Sequence, residues 1–271
     1  MNKRCAVVGA NGFLGKALIR KLGKQGFDVT AVYNRSQENI DEGTDKVKIT
    51  DFLELKDEYE YIILSLGNYR CSHSELIEIN DMIRRIQLQN QGAKLIFISS
   101  TNVYGAHSGI ISTTSSFNSP SLYPLSKLSG EFLVTGHGKY AVLRLTYLYG
   151  KGLDNKSFLP NVIEKSKREG EIILFGDGSR KQDYLHVDDA AELCIKAMQS
   201  EENGIFLGAS GTSVSNYEIA EIISAQHHSE ISFTGTESGS SFYFDISETR
   251  EKLNWAPQVD IVQGINEMLS I

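Results

Sequence analysis

Tyr123 and Lys127 stand four residues apart in the stretch Tyr123-Pro124-Leu125-Ser126-Lys127-Leu128-Ser129-Gly130-Glu131. On a helix that spacing puts both side chains on one face. A free phenol ionises near pH ~10 and is a poor acid–base catalyst at neutral pH. A lysine ammonium beside it favours the phenolate and brings its pKa down. Pro124 suits the first turn of a helix, so Tyr123 belongs near the helix N-terminus, where the dipole acts in the same direction. Upstream, Ile96-Phe97-Ile98-Ser99-Ser100-Thr101-Asn102-Val103-Tyr104-Gly105 carries an apolar run into hydroxyls. If Ser100 shares the reacting oxygen with Tyr123, the pair is a proton donor and acceptor beside a carbonyl or carbinol carbon, which is what hydride chemistry needs.

Such chemistry needs a cofactor, and the chain opens with a candidate turn. Gly9-Ala10-Asn11-Gly12-Phe13-Leu14-Gly15 follows the apolar run Cys5–Val8 and leads into the helical pattern Lys16–Leu22. The spacing is GxxGxxG, not the GxGxxG of the dinucleotide fingerprint, but the physics is similar. Gly9 permits the tight turn, Gly12 lets the backbone approach a pyrophosphate, and Gly15 lets helix and strand pack closely. The amides of Gly12, Phe13 and Leu14 would then point at the anion, with Asn11 in the same turn. At the end of the second apolar run, NAD-specific folds place an acid on the ribose 2′-hydroxyl. This chain has Asn34-Arg35-Ser36 there instead, which suits a 2′-phosphate. NADP(H) is therefore favoured, with NAD(H) as the alternative.

The elements that must hold these residues follow from the hydrophobic pattern. Apolar runs at Cys5–Val8, Val29–Tyr33, Tyr61–Leu66, Lys94–Ser99 and Ala141–Leu145 alternate with segments of helical spacing such as Ser74–Gln91. That alternation predicts an α/β fold, a parallel sheet with helices on both faces. After Gly150 the pattern is less regular. A helix at Leu159–Arg168, a strand at Ile172–Phe175, a turn at Gly176-Asp177-Gly178, a helix from near Val187 and a loop at Thr234–Ser241 are expected. The implied plan is a dinucleotide-binding domain over residues 1–150, to which residues near 184–208 return, and a substrate-binding lobe over residues 151–271.

Composition sets outer limits. The 271 residues are 41% hydrophobic and 23% charged, an ordinary soluble balance. A net charge of −7 argues against a nucleic-acid partner. Cys5, Cys71 and Cys194 are far apart and form no CxxC pair, which fits reduced thiols in a cytoplasm and no metal site. His227-His228 reads as a solvated helix end. No apolar run nears the roughly 20 residues of a membrane helix, and the N-terminus has no signal-peptide pattern.

Taken together, GANGFLG, SSTNVYG, YPLSKLSGE, FGDGSRKQDYLHVDDAA and FDISETREKLNWAP resemble the extended short-chain dehydrogenase/reductases. Within them they look like the NAD-dependent epimerase/dehydratase branch that acts on nucleotide sugars, over nearly the whole chain. The resemblance implies a Rossmann-type doubly wound parallel sheet with a smaller α/β substrate lobe on the C-terminal side. It makes Tyr123 the catalytic tyrosine, Lys127 its partner and the holder of the nicotinamide ribose, and Ser100 the catalytic hydroxyl, with Thr101 as fallback. It sets Asp51 and Phe52 at the adenine, Leu66 and Gly67 under the cofactor, and Asn80 in support of the active-site backbone. Thr101, Asn102, Tyr147 and Arg180 fall on the substrate side. Two departures stand out. Tyr147 occupies a position that is often Asn, and Gln182 replaces an Arg that grips the substrate diphosphate, leaving Arg180 or Lys181 to take that role.

The resemblance implies three chemistries: keto-sugar reduction, epimerisation and 4,6-dehydration. Dehydratases have an Asp-Glu pair where this chain has Thr101-Asn102, and neither can serve as a carboxylate acid or base. Epimerases keep NAD bound, whereas reductases generally consume NADPH, so Arg35 favours a reductase. The expected activity is NADPH-dependent reduction of a nucleotide-linked 4-keto-6-deoxyhexose for surface polysaccharide, by a cytoplasmic homodimer. A nucleotide-sugar epimerase is the alternative, followed by a reductase of a non-nucleotide carbonyl compound and a non-catalytic dinucleotide sensor.

Overall fold

The computed structural model describes residues 3–38, 40–55, 58–67, 69–118 and 121–270. In chain order the first half gives β1 (Arg4–Val8), α1 (Phe13–Lys24), β2 (Asp28–Tyr33), β3 (Asp45–Lys48), a short α2 (Ile49–Phe52), β4 (Tyr61–Leu64), α3 (His73–Gln89), β5 (Lys94–Ser100), β6 (Ile110–Ile111), α4 (Leu122–Thr135) and β7 (Tyr140–Leu145). The rest gives β8 (Tyr147–Tyr149), α5 (Phe158–Glu169), β9 (Glu171–Phe175), β10 (Lys181–His186), α6 (Val187–Gln199), β11 (Gly204–Gly208), β12 (Ser213–Ser215), α7 (Asn216–His227), β13 (Glu230–Thr234), β14 (Tyr243–Phe244), α8 (Ser247–Leu253) and α9 (Ile261–Leu269).

Seven strands form one parallel sheet in the order β11-β7-β5-β4-β1-β2-β3. Successive side chains of a strand face opposite sides, and the apolar runs divide accordingly. Cys5, Val7, Ala31, Ile63, Ile96, Ile98 and Leu143 pack with α1 and α6 in one core layer. Ala6, Val8, Val32, Ile62, Leu64, Leu95, Phe97 and Val142 pack with α3 and α4 in the other. This is the doubly wound, Rossmann-type arrangement. Both edge strands escaped the hydrophobic pattern. β3 reads Asp-Lys-Val-Lys and is largely solvated. β11 comes from Gly204–Gly208, far along the chain, and pairs with β7 in register Gly204↔Ala141.

The sheet order reverses at β1, with β2 on one side and β4 on the other. In such sheets ligands bind beyond the carboxyl ends of the strands at this switch point. The Gly9 turn leaves β1 there. β4 stops at Leu64, two residues before the apolar run ends, and the backbone turns through Gly67 at φ +116°.

The later elements build around a separate apolar cluster that includes Leu159, Val162, Ile172, Leu174, Tyr184, Ile219, Ile223 and Ile265. β12-β10-β8 form a three-stranded sheet, and β13 pairs with β9. Asp183, within β10, is fully buried. It accepts hydrogen bonds from the backbone amides of Ser210 (2.7 Å) and Gly211 (2.8 Å), which pins the loop after β11. No helix among the described residues is long and apolar enough to cross a membrane. Cys5, Cys71 and Cys194 are buried free thiols.

Candidate active site

α4 begins at Leu122, so Tyr123 and Pro124 lie in its first turn and Lys127 one turn on. Lys127 is buried. Its ammonium donates to the backbone carbonyls of Ile98 (2.8 Å) and Leu66 and lies 5.7 Å from the centre of the Tyr123 ring. A Cβ at Gly67 would come within 2.9 Å of that ammonium, so glycine there makes room for the lysine. Burial brings the Lys127 pKa down to about 8, against the opposing pull of Glu131 and Cys71. Tyr123 behaves differently from the expectation. Burial raises its pKa above that of a free phenol, the neighbouring Tyr69 adds to this, and only the hydrogen bond with Ser100 opposes it. With the protein's own groups alone, burial holds the phenol protonated, and the Lys127 ammonium is engaged by two backbone carbonyls.

Tyr69 was missed from sequence. Its ring stacks on Tyr123, and its hydroxyl accepts from the Asn102 amide at 3.4 Å. Behind the pair lies a buried network that sequence reading also missed. Arg144 of β7 and Glu131 of α4 make two parallel bonds, Nε–Oε1 3.0 Å and Nη2–Oε2 2.6 Å, with side chains only 3% and 5% exposed. Ser99 donates to the same carboxylate, and Arg144 donates to the Tyr104 hydroxyl at 2.7 Å. The network ties the end of β5, which carries Ser100, to the helix that carries Tyr123 and Lys127.

These groups open on a cleft of about 850 Å³. Phe13, Leu14, Leu66, Gly67, Ser100, Tyr123, Lys127, Tyr147 and Arg180 all line it, which brings residues from both halves of the chain together. Among the described residues its charged lining is Arg70, Lys127, Lys156 and Arg180, with no carboxylate, in a protein of net charge −7. Arg180 is held at the wall by a bond to the Ser240 carbonyl (3.2 Å), with Glu237 4.0 Å away. Lys181, the other candidate, is not in the lining. Tyr184 lines the cleft too, and its buried hydroxyl has no hydrogen-bond partner among the described residues. Its position in the Asp-Tyr-Leu-His stretch beside Arg180 was the available signal. Thr101 and Asn102 do not line the main cleft. They line an adjoining chamber of about 250 Å³ with Tyr69, Tyr123, Tyr147, Phe242 and Phe244, and no charged side chain is among its described walls.

The glycine turn meets the cleft through Phe13 and Leu14. Gly9 has φ +90°, and a Cβ there would lie 2.2 Å from the Ser65 carbonyl oxygen; one at Gly15 would lie 2.3 Å from the Gly9 oxygen. The fold itself requires both. At Gly12 the nearest atom to a Cβ is 3.3 Å away, so close ligand approach is the better account of that glycine. Gly12 caps α1, and no acid stands in the first turn. These features fit the pyrophosphate of a dinucleotide. Asn34, Arg35 and Ser36 follow β2. Ser36 accepts from the Glu38 amide (3.1 Å), and Arg35 lies 3.9 Å from Glu75. Asp51 is exposed in α2, whereas the Phe52 side chain is buried against Tyr59 in the core. Asn80 accepts from Ser129 at 3.0 Å, a link between α3 and α4; neither it nor Asn11 lines the cleft.

The model of the NAD dependent epimerase/dehydratase family matches residues 5–207. The chain belongs to that family. It is an NAD(P)-dependent enzyme of the extended short-chain dehydrogenase type, among nucleotide-sugar epimerases, dehydratases and reductases. A putative UDP-glucose 4-epimerase of Methanocaldococcus jannaschii is 26% identical, over 97% of this chain and 96% of the relative. A CDP-abequose synthase of Salmonella muenchen is 23% identical, over 100% and 98%. MoeE5, solved in complex with UDP-glucuronic acid and NAD, superposes with a TM-score of 0.84 at 20% identity, over 98% of this chain and 97% of MoeE5. That likeness establishes the fold.

Proposed function

We propose that this family member reduces the keto group of a nucleotide-linked 4-keto-6-deoxyhexose with NADPH, in the making of sugars for surface polysaccharide. The observation that carries this reading is the cleft at Tyr123, whose described charged walls are all cationic. They suit a ligand with a diphosphate and a dinucleotide beside it. The glycine turn and Lys127 would hold the dinucleotide, which when bound would supply hydride chemistry at the carbonyl carbon. Tyr123, held protonated by burial, donates the proton to the carbonyl oxygen, and the product is the alcohol. Ser100 holds that oxygen in place through its contact with the phenol. Lys127 keeps the Leu66–Gly67 backbone in position and holds the nicotinamide ribose. The uncharged chamber beside Tyr123 suits a methyl end of the sugar and offers no cation for a uronate carboxylate.

In this reading the sheet of residues 1–150, joined by 184–208, takes the dinucleotide and residues 151–271 take the sugar nucleotide. In the same reading the protein is a cytoplasmic homodimer, joined through the outer faces of α3 and α4, where Ile77, Leu88, Leu125 and Phe132 are exposed. Epimerisation with bound NAD is the second reading, favoured by the likeness to the Methanocaldococcus epimerase. The deciding experiment is dinucleotide oxidation by the purified protein with CDP- and dTDP-4-keto-6-deoxyglucose. Rapid loss of NADPH with either supports reduction. No loss with either, together with NAD that copurifies and interconversion of UDP-glucose and UDP-galactose, replaces it with epimerisation.

A further inference from the structure

We infer that Glu75 sets the dinucleotide preference by opposing the charge that Arg35 offers to a 2′-phosphate. The inference rests on the dinucleotide reading of the glycine turn and deepens it. β2 and β4 flank β1 in the sheet, so the segments leaving them meet beside the Gly9 turn. Arg35 comes from the first and Glu75, in the first turn of α3, from the second. The end of β2 is where the adenosine ribose is read in such folds.

The two partners are held differently. Glu75 is fixed by a capping box: its Oε2 accepts from the Ser72 amide (2.8 Å), and its own amide donates to the Ser72 hydroxyl (3.2 Å). Its other oxygen, Oε1, faces the Arg35 guanidinium at 3.9 Å, beyond hydrogen-bond reach. The Arg35 side chain is 83% exposed. The arginine is thus free to turn towards a ligand, whereas the carboxylate stays where the cap holds it. A 2′-phosphate seated on Arg35 brings close to two negative charges next to a fixed third. A ribose with a free 2′-hydroxyl brings none. Glu75 therefore weakens NADPH binding selectively and leaves NADH binding alone, which narrows the preference that Arg35 gives to NADPH.

Glu75→Gln tests this cleanly, because the glutamine oxygen still accepts from the Ser72 amide and keeps the cap. Dissociation constants for NADPH and NADH are measured by fluorescence titration on the wild type, Glu75→Gln, Arg35→Gln and the double variant, at low and high salt. The expected result is about two- to fivefold tighter NADPH binding in Glu75→Gln, NADH unchanged, and a gain that shrinks in salt and in the Arg35→Gln background. An unchanged NADPH-to-NADH ratio, with both dinucleotides still bound, overturns the role of Glu75 and leaves the dinucleotide reading standing. Failure of the wild type to bind either dinucleotide overturns both.

Discussion

The rings of Tyr69 and Tyr123 stack with centroids 4.4 Å apart and planes 22° from parallel. The proposed proton donor is thus clamped by a second tyrosine from a loop that has no regular structure. An aromatic pair of this kind contributes about 0.5–1.5 kcal/mol beyond its buried area. Tyr69→Leu is expected to lower kcat by up to about tenfold, with dinucleotide affinity kept, and to shift Tyr123 ionisation to lower pH in ultraviolet difference titration, since Tyr69 is one of the groups that raise it. Tyr123→Phe is expected to cost about 10²–10⁴-fold in kcat. Equal losses in the two variants would make Tyr69 a reaction partner, not a clamp.

The Lys127 pKa of about 8 gives a pH dependence with two opposite signs. Activity that needs the ammonium is complete below about pH 8 and falls as pH rises through it, so kcat/KM should drop with an apparent pKa near that value. Stability moves the other way. The unfolded lysine binds its proton up to its ordinary pKa of 10.5, so between about 8 and 10.5 the unfolded chain holds more protons, and this group's contribution to folding becomes more favourable as pH rises. Rate and denaturant midpoint measured over the same pH series check both signs.

Breaking the Glu131–Arg144 pair leaves one buried charge uncompensated. Glu131→Gln is expected to cost about 3–5 kcal/mol of unfolding free energy, measured by urea denaturation. Ser99→Ala, which removes one donor to the same carboxylate, should cost about 1–3 kcal/mol. A loss under 1 kcal/mol in Glu131→Gln would mean that the network does not carry the link between β5 and α4.

Burial raises the Asp183 pKa from 3.8 to about 6, against the hydrogen bonds from Ser210, Gly211 and Thr212. The folded state therefore holds a proton between those values that the unfolded chain has lost. Stability from this group is present below the unfolded pKa and is lost as pH rises through 6. The stability of the wild type relative to Asp183→Asn should grow by up to about 3 kcal/mol on going from pH 7 to 4. A difference flat over that range would refute the raised pKa.

Phe132 on α4 is 81% exposed, with Leu125 one face-repeat before it and Ile77 and Leu88 exposed on α3. If this face joins two copies, Phe132→Glu should give a monomer in sedimentation velocity at concentrations where the wild type is a dimer. A wild-type monomer would remove the homodimer from the proposal.

Legibility in the sequence followed locality. Tyr123 and Lys127 were readable because four residues make one helical turn, and the glycine turn because strand and helix patterns flank it directly. Arg144 and Glu131 were not, since each is an ordinary charge until α4 packs against β7. Tyr69 lies in a stretch without periodicity, and only the return of the chain past α4 brings it to Tyr123. β3 was lost because an edge strand with one partner does not need apolar residues on both faces. Even Lys127, one helical turn from Tyr123 as the spacing implies, donates to two carbonyls, and no sequence spacing reports that direction.

The contrast between the cationic cleft and the acidic whole has a kinetic consequence. An anionic ligand that comes within about a Debye length of the surface, about 8 Å at physiological salt, meets the net charge of −7 and is repelled. Only inside the mouth do Arg70, Lys156 and Arg180 dominate. Salt should therefore quicken arrival and also quicken escape, so that the fastest encounter and the longest residence occur at different ionic strengths.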